Sequence, residues 1–283
     1  MSDKARGGVV LLTVLWTVAL LTTLALAASV TFRGFASIMV IDRDRAKADG
    51  LLTAGLEVAA GLVSSAGERP LLDVEDTLTL STGTVRIRLD DEGGRIDIGK
   101  APPELLAAAL RAVEADGADV IARAIVAWRR PDGGASKPAA SANAAAQDSI
   151  FTDVTELAQV PGMRPQLVLA LAPLVTVFGN ETVNPLTAPA VVLAALPGID
   201  PARLAAFLSA RATAADPKQL VASLGAAQAF LAVKPPRAVA VHIAAVVADG
   251  YAANAQAVIV CLPKDRQPYR VLSWTPMPPP SRI

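Results

Sequence analysis

The side chains that could do chemistry are few, and each is nearly alone. The chain has one histidine, His242, and one cysteine, Cys261. A histidine-based metal site, or a nucleophile–base relay, would have to be built around His242, and that residue lies in an apolar run. One cysteine excludes both an internal disulfide and a cysteine metal cluster. Asp90, Asp91 and Glu92 put three carboxylates in a row. Adjacent acids at a strand end are expected to face solvent or an N-terminus rather than one another, which does not suit paired acid–base work. No Gly-x-Ser-x-Gly elbow, no phosphate-binding Gly-rich loop and no His-Glu-x-x-His occurs. The formal charge of zero gives no basic field for nucleic acid. An enzyme is therefore not expected.

The segments that must position these residues begin with the N-terminus. A short polar stretch with Lys4 and Arg6 precedes residues 9–31, which carry no charge: VVLLTVLWTVALLTTLALAASVT. At about 1.5 Å per residue such a helix spans a hydrocarbon core of about 30 Å. The preceding cations orient the short end to the cytoplasm. A cleaved signal peptide competes, with Ala27-Ala28-Ser29 as a loose cleavage site. Against it, no proline interrupts the chain until Pro70, so one helix over 9–66 is expected.

The middle of the chain repeats itself. Ile96-Asp97 and Val183-Asn184 each stand before an Ala-Pro pair, Ala101-Pro102 and Ala188-Pro189, which opens a helix over 103–110 or 190–197. Asp97, Asn184 and Thr187 suit local caps and turns. A second repeat aligns Leu157, Val160, Pro161, Gly162 and Pro165 with Leu193, Leu196, Pro197, Gly198 and Pro201. Both read as helix, tight turn, helix, with glycine allowing positive φ. Hairpins of this kind grip DNA when a second glycine lets amides approach phosphate. Here that position is Arg164 or Asp200, so DNA binding is the runner-up only. Residues 131–147 read as a linker.

Residues 77–80 and 84–89 read as a hairpin, and 238–247, 255–262 and 269–274 as further antiparallel strands. His242 and Cys261 then sit in strands as a half-buried imidazole and a small core thiol. The tail 276–283 is proline-rich and expected to be loose.

The leader ending in Gly8, the apolar helix after it and the run 8–16 (GVVLLTVLW) resemble the pseudopilins of type II secretion systems. Most members carry Glu at the fifth mature position; here it is Thr13, a departure shared with the large K-type minor pseudopilins. DEGGRIDIGKAPPELL at 91–106 and the tandem hairpins resemble the helical domain inserted in that branch. The resemblance implies an α+β fold. A long N-terminal transmembrane helix would pack on an antiparallel pilin-like sheet, with a large all-α insert containing helix-hairpin-helix-like repeats. The expected boundaries are a prepilin leader 1–8, a helix 9–66 spanning the membrane over 9–31, a sheet domain 67–95 and 234–283, and an insert 96–233. A prepilin peptidase would cut between Gly8 and Val9. The chain would stand in the bacterial inner membrane with its domain in the periplasm. It would sit at the pseudopilus tip beside I-type and J-type minor pseudopilins, without nucleic acid. Thr13 fits a tip subunit, which has no neighbour above to supply an amine for a buried Glu. No cofactor is implied except calcium, bound by some members. Arg129 and Arg130 follow Trp128 where acids are usual, leaving Asp148 and Asp153 as oxygen ligands.

Overall fold

The computed structural model describes residues 3–67, 69–129, 151–213, 216–235, 238–262 and 267–278, without the side chains of 3–11 and 28–38. Helix α1 (Asp3–Ala66) is continuous over 64 residues. Its C-terminal half buries Ala48, Leu51, Leu52, Leu56, Ala59, Ala60 and Val63, a stripe at three- and four-residue spacing. That stripe packs on one antiparallel sheet.

The sheet runs in the order β1 (Val74–Leu80), β2 (Gly83–Asp91), β5 (Val239–Val247), β6 (Ala252–Cys261) and β7 (Tyr269–Met277). In β2 the alternation is strict. Val85, Ile87 and Leu89 are buried under α1, while Arg86 and Arg88 face away. Burying such a side chain stabilises by about 1.5–3 kcal/mol. Gly55 marks the closest approach, since a Cβ there would lie 2.7 Å from Ile243 Cγ2 and 2.8 Å from Val85 Cγ1. Arg43 and Lys47 of α1 reach Asp249 in the β5–β6 turn at 3.3 and 2.7 Å. Strand β7 extends past the expected end of order, since Pro276 pairs with Ala255 at the sheet edge, where a missing N–H is tolerated.

Between β2 and β5 the chain leaves the sheet and builds a second core. Its elements are β3 (Ile96–Asp97), α2 (Pro103–Ala112), α3 (Ala118–Trp128), α4 (Pro165–Leu171), β4 (Val175–Thr176), α5 (Ala190–Ala194), α6 (Pro201–Ala210) and α7 (Pro217–Ala222). Among the described residues, 3₁₀ turns at Glu92–Gly94, Val154–Gln159 and Gly225–Phe230 accompany them. A mixed helix and antiparallel-sheet architecture was expected, and this is what forms. Two helices differ from the sequence reading. The segment before Pro161 is 3₁₀ rather than α, because Asp153 caps it by accepting from Thr155 N and the run closes at Val160. The helix after Pro189 stops at Ala194, short of Pro197.

The internal repeat has a structural meaning. Strand β3 pairs in parallel with β4, and Val183 makes the matching parallel bridge with Leu231. Asp97 and Asn184 hold equivalent turns. Asp97 O accepts from Ala101 N at 2.9 Å and Asn184 O from Ala188 N at 3.0 Å.

Candidate functional site

Three groups of residues organise the surface and its orientation. The first is a polar junction where the inserted core meets the sheet. Asp91 is buried at the end of β2. Its Oδ1 accepts from Gly93 N at 2.9 Å, and its Oδ2 accepts from Asn184 Nδ2 at 3.2 Å and Thr187 Oγ1 at 2.6 Å. Asn184 also donates to Lys234 O at 3.0 Å, just before β5, and its N–H donates to Gly93 O at 2.7 Å. Asp91 and Asn184 together thus tie the end of β2, the middle of the insert and the segment that leads into β5.

The three acids were expected to face solvent or an N-terminus; Asp91 does cap one, at the turn Glu92–Gly94, but solvent exposure does not hold for all three. Asp90 is half-buried, but Asp91 and Glu92 are buried, not facing solvent. Burial pushes both carboxyls above the usual carboxylate range, against hydrogen bonds from Thr187, Gly93 and Asn184 at Asp91 and the charge of Arg95 at Glu92. Asp90 behaves otherwise. Burial works to raise it, but His242, Arg88 and Arg95 together hold it low. Sequence reasoning missed the burial because the side-chain partners of Asp91, Asn184 and Thr187, lie more than ninety residues away.

Next to this junction Asp97 is 0% exposed. Its Oδ1 accepts from Gly99 and Lys100 N–H at 2.7 and 3.0 Å, and burial raises its pKa, against the pull of Lys100. Arg129, at the end of α3, donates to Ile98 O at 2.9 Å and Ala101 O at 2.8 Å. Burial lowers its pKa, and the charge of Asp97 opposes that. Asp153 spends its carboxylate on Thr155, and Asp148 and Arg130 lie outside the described residues. Among the described residues no group of three His, Cys, Asp or Glu side chains could hold a metal.

The second group is the pair of hairpin turns. Pro161-Gly162 and Pro197-Gly198 are tight turns with φ of +87° and +72° at the glycines. A Cβ on Gly162 would lie 3.3 Å from Ile121 Cγ1, and one on Gly198 would lie 3.3 Å from Ala226 Cβ. Both turns pack against neighbouring elements. Asp200 Oδ1 accepts from Ala202 N and Arg203 N, the amides at the start of α6. Arg164 caps no amide and lies 3.8 Å from Asp116.

The third is the N-terminal helix. Gly8 and Val9 lie within α1, in the part whose side chains are outside the described residues. Thr13 is exposed, and nearby Thr17, Thr22 and Thr23 donate back to Val14, Val18 and Leu20 carbonyls. Among the described residues no helix is long and apolar enough to cross a membrane; only 12–27 of the apolar run 9–31 are described with side chains.

The outer face of the sheet and the insert enclose a cleft of about 370 Å³. Its floor holds His242 opposite Gln256, and Gln256 opposite Thr275, in one row across β5, β6 and β7. His242 Nε2 lies 2.9 Å from Asp90 Oδ2. Cys261 stands on the other face, its thiol pushed up by burial. The histidine and the cysteine are therefore on opposite sides of the sheet.

The comparisons agree with this geometry. A family model for type II secretion system protein K matches residues 98–180, from the end of β3 through β4. The fold is similar to a chain in the crystal structure of the GspK–GspI–GspJ complex from the enterotoxigenic Escherichia coli type 2 secretion system. The TM-score is 0.60 and the identity 15%, covering 84% of this chain and 98% of that one. No curated protein matches. Residues 98–180 thus match type II secretion system protein K, and the fold over most of the length is similar to that of a chain in the GspK–GspI–GspJ complex, the two findings that support a K-type minor pseudopilin.

Proposed function

We propose that this protein is a non-enzymatic subunit at the tip of a periplasmic pseudopilus. Residues 9–31 would anchor it as a single pass in the inner membrane, and it would assemble with I-type and J-type minor pseudopilins. One observation carries the reading: the inserted core is fixed to the sheet through Asp91, Asn184 and Lys234 rather than hung on a loose linker. Bulk held rigidly on a pilin-like sheet clashes with neighbours inside a tightly wound filament, whereas a tip has open space above it. Thr13 in place of a buried Glu supports the same position. The partners are drawn from the complex in which the similar fold was solved. A structural role is further supported by the separation of His242 and Cys261 on opposite sheet faces. Calcium binding stays a weaker proposal, because Arg129 already supplies a cation to the loop that carries Asp97.

The competing reading is duplex DNA held by the hairpins. Asp200 already occupies the amides of Ala202 and Arg203, and its charge repels phosphate.

Two experiments test the proposal. N-terminal sequencing of membrane-extracted protein is expected to begin at Val9, after prepilin peptidase cleavage; a start near residue 30 would remove the anchor. Mixing the full chain with I-type and J-type subunits in detergent, followed by light scattering, is expected to give a heterocomplex. Long homopolymers of the chain alone, or no association with either partner, would rule the tip position out.

A further inference from the structure

We draw no further inference here: the strongest candidate, the cleft between the insert and the outer face of the sheet, carries nothing, because Glu92 stands beside Arg95 and His242 beside Asp90, the Asp153 carboxylate is spent on the amide and hydroxyl of Thr155, and nothing in the structure shows what would occupy it.

Discussion

Replacing Asp91 by Ala removes the acceptor at the centre of the junction. The Gly93 amide and the Thr187 hydroxyl then lose their partner, while Asn184 keeps the carbonyl of Lys234. A buried donor left unmet costs about 1–3 kcal/mol, so the two together cost about 2–6 kcal/mol. Against this, the variant no longer buries a carboxylate, and the raised pKa of Asp91 shows that burial is unfavourable to its charge. A net loss of about 3 kcal/mol is expected, equivalent to a fall of about 6–12 °C in Tm for a domain of this size. Thermal unfolding followed by near-ultraviolet circular dichroism measures it. Asp91→Asn adds a test by pH. The folded pKa lies above the unfolded value of about 3.9, so the wild type takes up a proton on folding in the window between them. Its stability relative to Asp91→Asn should therefore rise as pH falls through the folded pKa, and level off below the unfolded one. A Tm within about 2 °C of wild type for Asp91→Ala, or a wild-type stability relative to Asp91→Asn that falls on acidification, would refute the reasoning.

Gly55→Ala gains up to about 1 kcal/mol of helix propensity but drives a methyl into Ile243 and Val85. Both are β-branched and rotate little, so overpacking of about 1–3 kcal/mol prevails, and denaturant titration should show a net loss of about 1 kcal/mol. Arg129→Ala gives up charge-assisted bonds to Ile98 O and Ala101 O; a loss of about 2–3 kcal/mol is expected, with Lys recovering part of it and Met none. Tyr269, beside Glu57 at 2.8 Å, has its phenol pushed up to about 12 by burial and by that carboxylate. Glu57→Gln should move its ionisation back toward pH 10 in an ultraviolet titration, and an unmoved curve would detach the tyrosine from α1.

What the sequence made legible was what depends on near neighbours. The alternation of Val85, Ile87 and Leu89 with Arg86 and Arg88 gives a strand, and its inward face, without any knowledge of its partners. The uninterrupted run to Pro70 gives a long helix. Glycine after Pro161 and Pro197 gives turns because positive φ is a local demand. The burial of Asp91 and Asp97 was not legible. Asp91 is defined by Asn184 and Thr187, and Asp97 sits beside a loop held by Arg129; neither separation leaves a periodic trace. The 3₁₀ form of Val154–Gln159 was hidden for a related reason, since an Asp153–Thr155 cap competes with the α-helical pattern. The shared spacing from Asp97 to Ala101 and from Asn184 to Ala188 was visible as a repeat, but only the hydrogen bonds show that it builds the same turn twice.

The register places Asp91, the last residue of β2, directly opposite Val239, the first residue of β5. The chain departs and returns at two touching points on adjacent strands. To the sheet, everything from Glu92 to Ala238 is topologically a single hairpin loop, however large its contents. Removing it and closing β2 to β5 with a two-residue turn would leave every strand pairing and the whole α1 contact in place. Conversely, a foreign domain whose ends lie about 5 Å apart could be spliced there without changing the order of strands. The fold is a socket with an interchangeable head, and Asp91 is the pin that stops the present head from turning in it.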